Sequence, residues 1–317
     1  MRPTWSFLRL FTAGALLGLA SCTTLRDQHQ TRGARVYQDE LILSTASLRP
    51  GAHTWAGYSG PWIENVFFHN WLLRKPQVSR IYLPIAWTDC LHKGVYRDEM
   101  QQVLNSLDPA YRYFSVMQLD RGLNHQDLRL LVPSGLDVLF FSAGGETSPL
   151  NAIPIPLLKN SLEPSGHAKT ISVSLQGSIT HDVRKLLHDD FADKYLFLGV
   201  SENWKIISES SNFSFCPRGF GSTSFRLYET LQLGTIPIYV WEDDLWLPFQ
   251  DIIDWNEFAI VVELKDRHLI PSKIAQADVE RMTAAVKQHR GMFTYNFTVD
   301  YIFQRLLNED NSMVAPI

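Results

Sequence analysis

The residues best suited to chemistry lie within Phe213–Val240, where Cys216-Pro-Arg-Gly-Phe-Gly-Ser-Thr-Ser-Phe-Arg-Leu-Tyr-Glu229 runs from a strand-like segment into a helical one. Gly219 and Gly221 permit positive φ and close backbone approach. Ser222, Thr223 and Ser224 read as caps of a helix whose free N–H groups and positive dipole end face the preceding loop. Arg218 in the loop and Arg226 in the first helical turns add fixed positive charge, so backbone donors and guanidinium forks together suit a diphosphate. Glu229 follows Arg226 by three residues and shares its helix face. That spacing fits a salt-bridge partner worth about 0.2–0.5 kcal/mol, or an acceptor for ribose hydroxyls beside bound phosphates. The loop has neither the lysine of a phosphate-binding NTPase loop nor the glycine spacing of a dinucleotide fold. Diphosphate with ribose points to a nucleotide sugar; the competing reading is a structural loop with satisfied arginines.

The elements that must position these residues alternate between strand and helix. A helical stretch at Ile63–Leu73 precedes a buried strand at Arg80–Trp87 and a helix at Asp98–Leu107, and Tyr113–Gln118 and Leu136–Ser142 repeat the strand signal. Ile153-Pro-Ile-Pro156 and Glu163-Pro-Ser-Gly166 read as an interdomain connection. A second unit then begins with a strand at Thr170–Leu175, a turn at Gln176-Gly177-Ser178 and a helix capped at Thr180-His181-Asp182. Tyr195–Leu198, Ile236–Val240 and Phe258–Val262 are further strands; Ser222–Leu233 and Ser272–His289 are helices, the last capped by Ser272 behind Pro271. Such alternation implies parallel sheets.

Cys216-Pro-Arg-Gly219, Ser224-Phe-Arg-Leu-Tyr-Glu229, Leu231-Gln-Leu-Gly-Thr-Ile-Pro237 and Leu247-Pro-Phe-Gln-Asp-Ile-Ile-Asp-Trp255 together resemble the signature run of exostosin-like glycosyltransferases. Ser142-Ala-Gly-Gly145, Ile153-Pro-Ile-Pro156 and Gly177-Ser178 with Arg184 are similar in placement to weaker family positions. The resemblance implies an α/β, GT-B-like fold, two Rossmann-like domains facing a cleft, and inverting transfer of a sugar from a nucleotide diphosphate. Carried over to this sequence, Arg218 and Arg226 would bind the diphosphate and Glu229 the ribose. Gly177 and Arg184 would contribute at the neighbouring strand-to-helix turn, beside Gly219, Gly221 and Ser222, which the loop-and-cap reading already places at the donor. Animal members tend to carry further basic residues just after Pro-Arg-Gly; here Phe220-Gly221 stands in their place.

Inversion requires a general base facing the cleft from the N-terminal half. Asp89, Asp120 and Glu146 are the alternatives, the first two at strand C-terminal ends and the third after Gly144-Gly145; each also fits a helix cap or loop carboxylate. Glu242-Asp243-Asp244 is a weaker candidate for a metal cluster, because a helix dipole and two arginines already offer charge stabilisation. No metal site is assigned and no cofactor is required beyond the donor, although a divalent ion is compatible with the chemistry. Trp241, Trp246, Phe249 and Trp255 read mostly as core, with some able to stack a base or sugar.

The 317 residues are 45% hydrophobic and 20% charged, enough apolar material for two domains. Residues 1–35 hold five basic and one acidic side chain, leaving 24 basic against 32 acidic beyond them, a balance unlike that of a nucleic-acid binder. Three scattered cysteines make neither a disulfide framework nor a zinc site. Arg2 and Arg9 precede the apolar run Leu10–Cys22, which reads as a signal peptide or Golgi-type signal anchor over 1–27; Leu19-Ala20-Ser21-Cys22 also fits a bacterial lipoprotein anchored through Cys22. The sequons Asn212-Phe-Ser214 and Asn296-Phe-Thr298 are compatible with a secretory lumen. The expected organisation is a stalk over 28–60, an acceptor-side domain over 61–165, a nucleotide-sugar domain over 166–305 with a C-terminal helix, and a tail over 306–317. The expected partners are a donor, a glycan acceptor and a membrane held through the N-terminus, with homo- or hetero-oligomers left open and no nucleic acid. The alternative function is a non-catalytic, membrane-tethered nucleotide- or glycan-binding module; a nucleotide hydrolase ranks below both.

Overall fold

The computed structural model describes residues 33–51, 58, 60–94, 96–124, 129–145 and 151–314. The leader, with Cys22, and Glu146 lie outside the described residues. Among the described residues no helix is long and apolar enough to cross a membrane. The chain divides into two compact units, Met1–Ala46 and Ser47–Ile317. In the first, residues 33–44 form helix α1 where a turn-rich stalk was expected. Good helix formers from Ala34 to Leu43, with no glycine or proline among them, account for it.

The second unit holds two parallel sheets. In the first, β1 (Ile81–Tyr82), β2 (Arg112–Met117), β3 (Asp137–Ser142) and β4 (Ala152–Pro154) lie side by side in that order, with helices α2 (Ile63–Arg74), α3 (Trp87–Lys93) and α4 (Arg97–Ser106). The second runs β6-β5-β7-β8-β9, from β5 (Ile171–Gln176), β6 (Leu196–Leu198), β7 (Ser211–Pro217), β8 (Ile236–Trp241) and β9 (Ile260–Glu263). Its helices are α5 (Asp182–Phe191), α6 (Trp204–Glu209), α7 (Phe225–Gln232), α8 (Ile270–Gln276) and α9 (Val279–His289), and α10 (Tyr295–Val314) closes the chain. β2, β3, β7 and β8 are buried almost throughout, which is why they read as continuous apolar runs rather than alternating ones. This is the α/β, two-sheet plan expected of a GT-B-like architecture.

Four details depart from expectation, each for a local reason. The strand expected over Arg80–Trp87 stops at Tyr82, because Pro84 has no N–H for the ladder and Trp87 already opens α3. Ile153 and Pro154, expected in a connection, belong to β4, an edge strand where a proline costs no hydrogen bond on the open side. The helix expected over Ser272–His289 is two helices: Pro271 lies within the first turn of α8, so Ser272 is not its cap, and Asp278 starts α9 by accepting from Arg281 N at 3.0 Å. Both sequons fall in regular elements, Asn212 in central strand β7 and Asn296 in α10.

Helix α10 follows the second sheet in sequence but packs on the first. Phe303 lies 5.0 Å from Phe67 of α2 and stacks on Trp71 at 6.4 Å, beside Tyr82 and Phe114. Each fully buried ring of this kind contributes roughly 1.5–3 kcal/mol. At its far end Glu309 accepts from Arg80 Nε at 2.8 Å and also pairs with Arg112, while Asp137 bridges both arginines. Residues 306–314, expected as a tail, thus supply part of this half-buried network.

The two sheets meet through the loops at their C-terminal edges. Gly145 N donates to Ser222 Oγ at 3.1 Å, Trp246 Nε1 to Ser142 O at 3.2 Å and Arg121 Nε to Phe220 O at 3.1 Å. A Cβ on Gly221 would lie 1.7 Å from Asp120 O, so only glycine lets these two backbones touch.

Candidate active site

A cavity of about 750 Å³ opens between the sheets, lined by segments that follow β2, β5 and β7: Gln118–Arg121, Gly177-Ser178 and Gly219-Phe220. Parallel sheets place ligands at this edge, where peptide groups leave the ladder and helices begin. Gly177 follows β5 with φ of 119°, a conformation that favours glycine, and turns the chain toward α5. Two guanidinium groups converge above that turn. A Cβ on Gly177 would meet Arg184 Nη1 at 3.3 Å and Arg226 Nη2 at 3.8 Å.

Arg184, in the first turns of α5, is anchored by donating from Nε to Arg218 O at 3.0 Å and from Nη1 to Ser178 O at 3.2 Å. Burial, and next the Arg226 charge, hold it below the usual guanidinium value. Arg226, in the first turn of α7, has Nη1 buried without a hydrogen-bond partner, 3.6 Å from Glu229 Oε2. Two like charges side by side, one with an unfilled donor, favour an anion between them. Glu229 also pairs with Lys159, so both cations and the carboxylate form one cluster on the cavity wall. Trp204 sits beside it, its ring centroid 5.2 Å from the Arg226 guanidinium carbon and 5.3 Å from Lys159 Nζ.

Arg218, expected on the diphosphate, is turned elsewhere. It is buried outside the cavity lining and donates to Gly221 O at 3.2 Å, to Phe220 O at 3.4 Å and to Asp243 Oδ2 at 3.2 Å. The inward carbonyls of the loop need donors; this guanidinium serves Gly221 O and Phe220 O, as Arg184 serves Arg218 O. The hydroxyls expected as caps are likewise engaged elsewhere, Thr223 Oγ1 with Tyr228 OH at 3.3 Å. Ser222 Oγ accepts from Gly145 N, Ser224 Oγ donates to Pro217 O at 3.0 Å, and Ser224 makes no side-chain cap bond to α7. Neither Gly219 nor Gly221 has positive φ. Gly221 is required for the Asp120 contact, and a Cβ on Gly219 would approach Thr223 O to 3.2 Å.

On the opposite wall Asp120 lines the cavity, whereas Asp89 does not. Asp89 is fully buried, accepting from Trp62 Nε1 and from Asn65 Nδ2, each at 2.9 Å. It therefore orients Trp62, whose ring stacks on Tyr58 at 3.9 Å and on His92 at 5.9 Å, with Trp62 and His92 both at the cavity. Behind this wall Glu64 is buried, its Oε1 accepting from Thr88 Oγ1 at 2.6 Å and from Gln118 N at 3.0 Å, while Oε2 has no hydrogen-bond partner. Burial pushes its pKa up to about 7, only partly offset by those hydrogen bonds.

Trp246, Phe249 and Trp255 are not among the cavity residues; Trp246 covers Gly145, and Phe249 and Trp255 pack around Phe293. Among the described residues no group of three or more His, Cys, Asp or Glu could hold a metal ion, and Asp243 is engaged by Arg218. Lys159, Trp204 and Glu64 were not anticipated. Lys159 falls in the passage read as a connector, and nothing local in sequence ties it to Glu229 seventy positions later.

Comparison with known proteins finds similarity within the second sheet. Residues 177–277 match the model of the Exostosin GT47 domain. The Exostosin-1 homolog of Caenorhabditis elegans is 35% identical over 95 residues, covering 29% of this chain and 24% of the relative. A probable glucuronosyltransferase of Oryza sativa subsp. japonica is 44% identical over 54 residues, covering 17% and 13%. A probable beta-1,4-xylosyltransferase of Arabidopsis thaliana is 32% identical over 93 residues, covering 28% and 22%. The matches thus span about a quarter or less of these relatives' length. Among solved structures, the pneumococcal O-GlcNAc transferase GtfA in complex with UDP and GlcNAc superposes with a TM-score of 0.39 at 13% identity, over 67% of this chain and 47% of that one. The stretch that matches the Exostosin GT47 domain runs from the Gly177 turn through the Arg226–Glu229 helix into α8.

Proposed function

We propose that the protein is an inverting glycosyltransferase that moves a sugar from a UDP-linked donor to a glycan or glycoconjugate hydroxyl. The observation that carries this reading is the convergence of Arg184 and Arg226 above Gly177, at the lip of a cavity that both sheets line. The donor diphosphate would lie between these guanidinium groups and the first N–H groups of α7, with the ribose against Glu229. As the bond between the anomeric carbon and the diphosphate oxygen breaks, negative charge grows on the leaving group, where fixed guanidinium charge stabilises it without reorganisation.

The acceptor hydroxyl would enter from the wall formed by Trp62, His92 and Asp120. Asp120 is the base in this proposal. It takes the hydroxyl proton as the oxygen attacks the anomeric carbon on the face opposite the departing diphosphate, which inverts that centre. No metal takes part in this scheme. The leader supports a body held on the non-cytosolic side of a membrane, with Golgi tethering as the preferred reading.

The test incubates the purified protein with a panel of nucleotide sugars and glycan acceptors and measures acceptor-dependent release of nucleoside diphosphate. Release from UDP-sugars, lost in Asp120→Asn with UDP binding retained, is the expected result. Binding of UDP without turnover on any acceptor would overturn the enzymatic reading in favour of a binding module.

A further inference from the structure

Phe220, in the loop between β7 and α7, lines the main cavity and is 58% exposed. Among the described residues no other phenylalanine, tyrosine or tryptophan is exposed. The backbone around it is held firmly. Gly219 N donates to Thr223 O at 2.9 Å, Phe220 O accepts from Arg121 Nε at 3.1 Å and from Arg218 Nη2 at 3.4 Å, and Gly221 O accepts from Arg218 Nε at 3.2 Å. An apolar ring presented to water on a pinned backbone forgoes the gain of burial, and its few torsions leave little entropy to lose when something covers it. The other large rings of the cavity wall offer no comparable face. Trp62 is 2% exposed beneath Tyr58 and His92, and Phe225 is half-buried against Tyr58 and Lys159.

The close approach of Gly221 to Asp120 O and the bond from Arg121 to Phe220 O set this ring beside the residue proposed above as the base, on backbones in contact and in the wall of one cavity. We propose that Phe220 is the acceptor platform: a pyranose ring of the acceptor stacks on its face while a hydroxyl of that sugar meets Asp120. The inference deepens the transfer reading above and rests on it. The chemistry of the face selects the ring. A pyranose with equatorial substituents turns axial C–H bonds outward on both faces and covers an aromatic ring without stranding a hydroxyl, whereas an axial hydroxyl pressed on the ring loses water and gains no partner. The fitting class is a β-linked, all-equatorial pyranoside such as a β-glucoside, in preference to an α-mannoside with axial oxygens at C1 and C2. Stacking of this kind is the same before and during transfer, so the platform sets acceptor affinity rather than turnover.

The experiment titrates cellotetraose and α-mannotetraose onto the UDP-loaded protein by saturation-transfer NMR, for the wild type, Phe220→Ser and Phe220→Tyr, with UDP calorimetry and thermal melting of each. The expected result is that the wild type prefers cellotetraose about tenfold, that Phe220→Ser loses about tenfold in cellotetraose affinity with melting and UDP affinity unchanged, and that Phe220→Tyr restores it. Equal cellotetraose affinity in the wild type and Phe220→Ser, or no cellotetraose binding by a wild type that binds UDP, overturns the platform and leaves the donor reading intact. α-Mannotetraose bound as tightly as cellotetraose overturns the choice of ring. A Phe220→Ser chain that no longer folds makes the ring structural and overturns the platform as well. Absence of UDP binding by the wild type overturns the donor reading and this inference with it.

Discussion

Glu64, behind the cavity wall of Trp62, His92 and Asp120, makes the stability of the fold sensitive to pH, and the size of the effect follows from its burial. In the unfolded chain the carboxyl ionises near the ordinary value of 4.5; folded, it holds its proton to about 7. Below pH 4.5 both states are protonated and the group leaves stability unchanged. As pH rises from 4.5 to 7 the unfolded state releases the proton first and is favoured by about 1.4 kcal/mol per pH unit, so stability falls by roughly 3.4 kcal/mol and then levels off. Glu64→Gln keeps a carbonyl for Thr88 and Gln118 and puts an uncharged N–H₂ at the unpartnered Oε2 position. Urea unfolding of both proteins from pH 4.5 to 8 isolates the effect, because every other titrating group is common to the pair. The offset between the two curves is expected to change by about 3 kcal/mol in favour of the glutamine variant as pH rises. Parallel curves across that range would refute the argument that desolvation governs this carboxyl.

Three substitutions separate ligand contacts from loop scaffolding. Arg226→Ala should weaken UDP binding about ten- to a hundredfold, seen in calorimetry, with melting little changed, because its Nη1 has no hydrogen-bond partner in the fold. Arg218→Ala should do the reverse: stripping donors from Gly221 O and Phe220 O and a partner from Asp243 should cost about 2–4 kcal/mol in urea unfolding. Full stability with lost UDP affinity would return Arg218 to the donor. Gly221→Ala would put a methyl group 1.7 Å from Asp120 O, so the loops must part; melting should drop and acceptor-dependent turnover should fall more steeply than UDP binding.

The sequence shows the second sheet more plainly than the first. Strand, glycine turn and helix signals around Gly177 and Phe225–Gln232 are contiguous, and the fold keeps them so. Arg226 and Glu229 could be paired by helical spacing alone, and they face the same cavity. Arg218 could not be placed, since whether a loop arginine turns outward to a ligand or inward to its own carbonyls depends on where the loop oxygens point. Lys159, Trp204 and Asp89 are decided by tertiary proximity across 22 to 70 positions of chain, beyond any local period. Pro84 and Pro154 carried local information that hydrophobicity masked: one ended a strand early and the other marked an edge.

The way α10 reaches back to the first sheet bears on how the molecule is made. Phe67, Trp71 and Arg80 emerge early in synthesis, yet Phe303 and Glu309 that cover them emerge more than 200 positions later. Until then an aromatic patch and a cation near β1 stand uncovered, so the first half of the body cannot mature on the ribosome ahead of the second. Separately expressed halves split near residue 165 should accordingly leave the early half sticky and the late half carrying a helix with nothing to close upon.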